Sequence, residues 1–277
     1  MAMFIVVPFS AGFAIGVVTP GSGSAKAAMT LSVIACLLIL VASGREGLLC
    51  AILAFPIVGA CMVAGLGLAI MFRKYVLPHF RSSGAPTGMV LAVIPLVVVV
   101  GHRLELPALE LTRYEMVSTS IRLHATPEQV WANIQSVDTI DVSKPWLMHI
   151  GLPVPVSCAI SRTGLGAKRT CYFETGSIEE TVTEWAPPHL LRLSIDRTRM
   201  PGRHWLGFQS AFYEISRDGD ETVLTRTTSI TSHLYPIWYW RYFERLGVAS
   251  EHDYILRNVQ RRLQESTIGN SSATPST

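Results

Sequence analysis

The chain has 277 residues, a net charge of +3 and a charged fraction of 16%, below the roughly 25% of soluble domains. The charge is too small to indicate nucleic-acid binding, and the sequence has neither a Lys/Arg run with interleaved aromatics nor zinc-finger spacing. Apolar residues dominate up to about Gly101, and the sequence from about Arg113 is typical of a soluble domain. The composition therefore predicts an integral membrane protein that carries a folded head.

Four apolar stretches fill the first part, and we interpret each as a membrane span. A spanning helix needs roughly 20 apolar residues. The third stretch meets this length, and the other three are shorter but nearly free of charge. The first stretch also fits a cleaved signal peptide, but it has no Lys or Arg before Met3, which favours a genuine span. The stretches are Met3–Val18, Ala27–Val41, Gly47–Phe72 and Gly84–Gly101.

The spans favour an anchor over a transport pathway, because transporters place ionisable residues within the bilayer and none interrupts these spans. Gly59, Gly65 and Gly67 predict close helix packing on the third span. Basic residues in the loops favour, by a small margin, a head on the outer side. The predicted organisation is an anchor over residues 1–104, a head over residues 113–265 and a disordered tail over residues 266–277.

The head begins with a predicted strand, Met116–Leu123, followed by a sharp helix start with Thr126 as N-cap, Pro127 at N1 and Gln129 at N3. Six further strand patterns follow, and Asp218-Gly219 is a hairpin signal between the last two. A long helix over about 236–264 closes the domain. The six strands are Val156–Arg162, Ala167–Phe173, Ser177–Trp185, Leu190–Asp196, Trp205–Ile215 and Glu221–Thr231.

Two of the five cysteines, Cys158 and Cys171, lie in the head on either side of a turn at Gly164-Leu165-Gly166. They are nearly equidistant from the turn, so a disulfide across the hairpin is conceivable if the head is in an oxidising compartment. Two reduced cysteines in the sheet are the favoured interpretation.

The head resembles the START-like superfamily, also called SRPBCC, which includes polyketide cyclases/dehydrases and lipid-transport proteins. The resemblance covers about Val117 to Leu263. The N-terminal region is similar to membrane-tethered bacterial relatives with a Glu46-Gly47-x-x-Cys50 pattern, which implies a bacterial plasma membrane. The matching residues in the head are Ile121-x-Leu123-x-Ala125-x-Pro127-x-x-Val130-Trp131, Gly164-x-Gly166-x-x-Arg169-x-Cys171-x-Phe173, Gly176-x-x-x-Glu180-x-Val182-x-x-Trp185, Asp218-Gly219-x-x-Thr222-x-Leu224 and His252-x-x-Ile255-Leu256-x-x-Val259.

The resemblance implies an α+β helix-grip domain, with a curved antiparallel sheet around a long C-terminal helix, after an all-α membrane unit of about four helices. It also implies a cavity between sheet and helix for a hydrophobic or lipid-like small molecule. Side-chain alternation then selects the residues that face this cavity, with Trp205 and Phe208 at its entrance. The candidate ligand-binding residues are Arg169, Cys171, Phe173, Glu180, Trp205, Phe208, Tyr213, Arg226, Tyr242 and His252.

Strand register predicts Cys171 opposite Glu180, with Arg169 in diagonal reach of Glu180, and Tyr213 opposite Leu224. Arg169 with Glu180 is interpreted first as a structural pair, and His252 first as a hydrogen-bonded core histidine.

The main functional hypothesis is a membrane-tethered domain that binds a hydrophobic ligand close to the bilayer. One alternative is a polyketide cyclase or dehydratase in which Glu180 or His252 is the general acid or base and Arg169 holds a carboxylate or enolate. A second alternative is a protein-interaction module whose interior is filled by side chains. No metal or cofactor motif is recognised, and the sequence does not indicate an oligomeric state.

Overall fold

The computed structural model divides the chain into two compact units, Met1–Leu111 and Thr112–Thr277. The boundary falls where the sequence changes from mostly apolar residues to the mixed composition of a soluble domain. The structure describes residues 2–18, 22–42, 48–76, 78, 99–100, 103, 112–200 and 205–271.

Three helices make up most of the described part of the first unit. They are α1 (Val7–Val18), which continues from a π-helical segment at Ala2–Val6, α2 (Ser22–Ala42) and α3 (Leu48–Tyr75). Among the described residues, α3 is the one helix long and apolar enough to cross a membrane, and the apolar helix Phe4–Val18 is shorter. By length and composition alone, the described residues thus contain a candidate for one of the four predicted spans, and they do not show the predicted unit of about four membrane helices. The fourth, Gly84–Gly101, lies outside the described residues except for Val99 and Val100.

Helices α1 and α3 lie in close contact through glycines. A Cβ atom added to Gly12 would be 2.1 Å from the carbonyl oxygen of Met62, and one added to Gly65 would be equally close to a carbonyl of α1. Neither position accepts a side chain unless a backbone moves. The predicted packing role is confirmed at Gly65, whereas no described atom lies within 4 Å of the corresponding position at Gly59 or Gly67.

The second unit contains one antiparallel sheet of seven strands, curled into a half-barrel and ordered β1-β7-β6-β5-β4-β3-β2. Consecutive strands from β2 to β7 are neighbours, which confirms the predicted six-stranded meander, and β1 pairs with β7 at one edge. The strands are β1 (Arg113–Leu123), β2 (Pro155–Ile160), β3 (Lys168–Phe173), β4 (Gly176–Ala186), β5 (Leu190–Arg199), β6 (Leu206–Asp218) and β7 (Glu221–Ser232).

The helices of the second unit are α4 (Pro127–Ile134), α5 (Trp146–His149) and α6 (Ile237–Ser271). Helix α4 begins with the predicted capping box, because Thr126 Oγ1 accepts a hydrogen bond from the Gln129 amide and Gln129 Oε1 accepts one from the Thr126 amide. The single turn α5 is absent from the sequence-based prediction. Helix α6 continues to Ser271, beyond the predicted end at Gln264 and into the predicted tail.

The main apolar core lies between the inner face of the sheet and the helices α4 and α6. Its fully buried members include Val130 on α4, Leu191 and Leu193 on β5, and Leu256 and Val259 on α6. The core therefore occupies the region in which the sequence predicted a ligand cavity.

The register of both predicted hairpins differs from the prediction by two residues. Gly176 pairs with Phe173 and therefore belongs to β4 rather than to the turn. A Cβ atom at this position would collide with the carbonyl of Arg199 at the end of β5, which explains why the position requires glycine. Gly219 takes a φ of +63° as the first of two turn residues, the position where a type II′ hairpin requires glycine. A shift of two keeps every side chain on its predicted face. Tyr213 therefore pairs with Arg226 rather than with Leu224.

Candidate functional site

Charged and polar side chains are brought together in the middle of the sheet, on the face covered by α6. We call them the buried polar cluster. Their burial distinguishes them from the other charged residues of the head, most of which are exposed on strand faces or helix surfaces. The members are Arg169 on β3, Glu180 on β4, Tyr213 on β6, Arg226 on β7, and Glu251 and His252 on α6.

Arg169 and Glu180 form an ion pair within the sheet. They are direct cross-strand partners, and Arg169 Nη1 lies 3.3 Å from Glu180 Oε2. The predicted diagonal contact is therefore a direct one, as the two-residue register shift requires. Their side chains are 3% and 5% exposed, so this pair has very little solvent screening.

Arg226 forms the second ion pair of the cluster, with Glu251. Arg226 Nη2 lies 3.0 Å from Glu251 Oε1, and the two side chains are 11% and 16% exposed. Burial raises the pKa of the Glu251 carboxyl although Arg226 opposes this. Burial also acts to lower the pKa of Arg226, but the attraction of Glu251 and Tyr213 outweighs it and the pKa is raised. Arg226 is thus a fixed cation held inside the domain.

The ring of Tyr213 connects the two ion pairs. The guanidinium carbon of Arg226 lies 5.3 Å from the ring centroid, and that of Arg169 lies 5.9 Å from it. Both distances are within the range of cation–π attraction, which is stronger where water is excluded. Tyr213 is 1% exposed. The arrangement keeps two buried cations close to one aromatic ring.

His252 is fully buried and hydrogen-bonded at both ring nitrogens. Its Nε2 is 2.8 Å from Thr228 Oγ1 on β7, and its Nδ1 is 3.2 Å from Thr119 Oγ1 on β1. Burial, and to a smaller extent the charge of Arg226, lower the pKa of His252 to about 2. The imidazole is therefore neutral at physiological pH and holds α6 to two strands, which is the arrangement of a hydrogen-bonded core histidine.

Three buried guanidinium nitrogens in the cluster have no hydrogen-bond partner among the described residues. They are Nε of Arg169 and both Nε and Nη1 of Arg226. A buried donor without an acceptor costs about 1–3 kcal/mol, so a native structure rarely keeps one without a reason. These three N–H groups can therefore donate hydrogen bonds to oxygen atoms of a bound molecule.

A disulfide joins Cys158 and Cys171 across β2 and β3. The favoured interpretation of two reduced cysteines is therefore wrong for this structure. The two residues are direct cross-strand partners, a relation that the sequence spacing allowed but did not require. The sulfur of Cys171 lies 3.7 Å from Glu180 Oε2, which places the disulfide against the buried polar cluster.

The remaining candidate residues lie outside the buried polar cluster. Phe173 packs against the apolar surroundings of the disulfide, and Phe208 packs in a separate apolar group with Val117 and Ile230. Trp205 precedes β6 and is half-buried, next to residues 201–204, which are outside the described part of the chain. Tyr242 is 64% exposed on α6.

Glu251, Thr119 and Thr228 were not selected from the sequence, although they complete the contacts of the cluster. Glu251 lies three residues after Val248 and four before Ile255, which are two apolar residues of the predicted inward stripe of α6. That spacing was the signal that could have identified it. The threonines carried no comparable signal, because Thr is common on both faces of strands. Among the described residues, no group of three or more His, Cys, Asp or Glu side chains is placed to hold a metal ion.

Comparison with known proteins finds similar solved structures for the head. A START superfamily protein from Mycobacterium smegmatis is 13% identical, with a TM-score of 0.41 over 54% of this chain and 97% of its own. Norcoclaurine synthase from Thalictrum flavum is 11% identical, with a TM-score of 0.39 over 57% of this chain and 90% of its own. The Aha1 dimer from Colwellia psychrerythraea is 17% identical, with a TM-score of 0.34 over 53% of this chain and 93% of its own. At these scores the likeness says nothing about a ligand or an activity.

No protein-family model matches the chain, and no curated protein matches it.

Proposed function

We propose that the head binds a hydrophobic or lipid-like small molecule between the sheet and α6, with an oxygen-bearing end held by the buried polar cluster. The observation that carries the proposal is the set of unpartnered nitrogens on Arg169 and Arg226. A carboxylate, phosphate or enolate oxygen would supply the acceptors that the described residues do not supply. Arginine suits this role because its planar donors match such groups.

The side chains around the cluster fit the apolar remainder of such a ligand. Val182, Leu191, Leu193 and Leu224 surround Tyr213 on the sheet, and Leu256 faces them from α6. These five side chains are at most 1% exposed, so a ligand would have to separate them in order to bind. Each CH₂ group that it moved from water into this apolar region would contribute about 0.8 kcal/mol. The ligand class is therefore amphipathic, with one acidic end and a larger apolar part.

The geometry favours binding over acid–base catalysis. A general acid or base needs a free position towards the substrate and a pKa near the working pH. Both nitrogens of His252 are engaged by threonines, and its pKa of about 2 keeps it neutral. Glu180 is engaged by Arg169. The proposed role of these residues is to position the sheet, the helix and the two arginines.

We further propose that the first unit tethers the head to a membrane and that the head lies in an oxidising compartment. Helix α3 is the candidate span, and its C-terminal Arg73 and Lys74 favour a cytoplasmic end by the positive-inside rule. The disulfide between Cys158 and Cys171 favours the opposite side for the head. Both conditions are satisfied if the fourth predicted span, Gly84–Gly101, crosses the membrane in the opposite direction to α3.

Photo-crosslinking tests the ligand proposal. The full chain, in membranes of its expression host, is labelled with a diazirine fatty acid, and labelled peptides are mapped by mass spectrometry. We expect labels on β6, β7 and the middle of α6. The variant Arg226→Met/Glu251→Leu, which removes two unpartnered donors together with their counter-ion, should lose most of this labelling. The matched surface variant Arg192→Met/Glu184→Leu should retain it, because that pair is 41% and 47% exposed.

Equal labelling of the head in both variants, or labels confined to α1–α3, would contradict the ligand site.

The side of the membrane is tested with Cys36, Cys50 and Cys61 replaced by Ala. An impermeant maleimide should label Cys158 and Cys171 in intact cells only after an impermeant reductant is added. Labelling that requires permeabilised cells but no reductant would place the head on the reducing side.

A further inference from the structure

A second cluster of charges lies at the start of α6, on the surface of the head. Glu115 on β1 accepts hydrogen bonds from Arg113, Arg241 and Arg245, with nitrogen to oxygen distances of 2.6, 2.9 and 3.0 Å. Arg113 also contacts Glu244, which accepts a hydrogen bond from Ser232. The three guanidinium groups outnumber the two carboxylates, so this region carries one net positive charge. Arg241 and Arg245 are 55% and 53% exposed.

Large apolar and aromatic side chains border these arginines. On α6, Ile237, Trp238 and Tyr242 are 38%, 75% and 64% exposed and alternate with the two arginines on one helical face. On β1, Tyr114 and Met116 are 72% and 58% exposed. These five account for more than half of the large hydrophobic residues that are exposed in the described part of the head.

A shallow pocket connects the two sets of residues. The pocket has a volume of about 430 Å³ and is lined by Tyr114, Met116, Arg241 and Arg245 together with Glu115 and Ser229. Trp238 and Tyr242 are one helical turn from Arg241 and Arg245 on the same face of α6. We call this surface the aromatic–arginine face. Its members are Tyr114, Met116, Ile237, Trp238, Arg241, Tyr242 and Arg245.

We propose that the aromatic–arginine face binds the surface of a bilayer that contains anionic lipids. Trp and Tyr prefer the interface between hydrocarbon and water, because their rings are apolar and their polar atoms remain hydrated. Exposed arginines bind lipid phosphates, and each basic residue near an anionic surface contributes about 1 kcal/mol. The combination of exposed aromatic rings with surplus arginine matches both parts of such a surface.

The position of the face in the chain agrees with this occupant. Tyr114 follows Gly101, the end of the last predicted span, by thirteen positions, which keeps this edge of the head close in sequence to the proposed tether. The inference adds to the proposed tether a contact made by the head itself. It does not depend on the proposed ligand site, whose residues are different and buried.

Depth-dependent quenching of Trp fluorescence tests the proposal on the full chain in lipid nanodiscs. The discs contain phosphatidylcholine with brominated acyl chains, with or without phosphatidylglycerol. In discs with phosphatidylglycerol, we expect Trp238→Phe to remove a strongly quenched part of the emission. Trp146→Phe is the matched control, since Trp146 is 61% exposed elsewhere on the head, and it should leave that part in place. Without phosphatidylglycerol the quenched part should decrease several-fold.

Two results would overturn the proposal. One is an equal loss of quenched emission in Trp238→Phe and Trp146→Phe, or a loss in Trp238→Phe that is the same in discs with and without phosphatidylglycerol. The other is a photo-crosslink from position 238 to a second copy of the chain or to another protein in place of lipid. Both substitutions replace exposed rings, so the fold should be retained, and the urea midpoint of each variant checks this.

Discussion

Helix α6 takes part in two clusters of arginine and glutamate, and they differ mainly in the exposure of the arginines that α6 and its neighbouring strands contribute. In the middle of the helix, the side chains of Arg226 and Glu251 are 11% and 16% exposed, and three guanidinium nitrogens of the cluster have no acceptor among the described residues. At its start, Arg241 and Arg245 are more than half exposed and share Glu115. The carboxylates are buried in both places, since Glu115 and Glu244 are 7% and 3% exposed, and the difference lies in the solvent exposure of Arg241 and Arg245. Because exposed ion pairs contribute little and buried ones are costly to break, we expect mutations in the two places to differ several-fold.

The largest loss of stability of the head is expected from Arg226→Met. It leaves Glu251 buried without its cation, which should destabilise the head by about 3–5 kcal/mol. The double variant Arg226→Met/Glu251→Leu removes both charges and should recover most of this loss, because apolar replacements of a buried pair are often neutral. The measurement is the urea unfolding of the head in the solubilised full chain. If Arg226→Met were as stable as the wild type, Glu251 and the rest of the buried polar cluster would be accessible to water, which would contradict the prediction.

A somewhat smaller effect is expected from the disulfide that adjoins the buried polar cluster. Cys158→Ala/Cys171→Ala opens a loop with a sequence separation of 13, which should lower the free energy of unfolding by about 3 kcal/mol. A reducing agent should lower the stability of the wild type by a similar amount and leave the variant unchanged. Insensitivity of the wild type to reductant would show that the bond contributes nothing to the stability of the head.

Acid should destabilise the head through His252. The unfolded chain protonates this imidazole near pH 6.5, whereas the folded chain does so only at about pH 2. Between these values only the unfolded state gains the proton, so the free energy of unfolding falls as the pH is lowered through this window, by about 1.4 kcal/mol per pH unit. In His252→Gln this contribution to the slope should disappear. Identical pH profiles of the two proteins would show that His252 is not desolvated as described.

The smallest effect is expected at the surface cluster. Arg245→Gln removes one of three arginines that contact Glu115, and its side chain is 53% exposed. The expected loss is below about 1 kcal/mol and should shrink further in high salt. A loss comparable with that of Arg226→Met would remove the distinction between the two clusters.

The strand order and the faces of the strands were predictable from the sequence, because alternation and turn residues set both. The capping box at Thr126 and Gln129 was recognised for the same reason, since its chemistry is local. These features brought Arg169, Glu180, Tyr213, Arg226 and His252 to the inner face without any knowledge of tertiary contacts.

The residue that each of these side chains contacts was not predictable from the sequence, because such contacts join elements that are distant along the chain. Gly176 lies within β4 so close to the carbonyl of Arg199 on β5 that a side chain would collide with it, and this contact is not visible in the sequences of β3 and β4. Likewise, Glu251 contacts Arg226 only because α6 crosses β7 at that point. The disulfide required Cys158 and Cys171 to be direct partners, and a spacing of 13 residues fits other turn lengths as well.

Native mass spectrometry of the full chain, released from membranes of its expression host, tests the ligand proposal most directly. We predict an acidic amphipathic molecule bound at about one per chain that survives removal of the loosely held lipids. It should be lost in Arg226→Met/Glu251→Leu and retained in Arg192→Met/Glu184→Leu. A wild-type protein that carries no such molecule, or that holds it equally in both variants, would contradict the account. The interior of the head would then be a core filled by side chains.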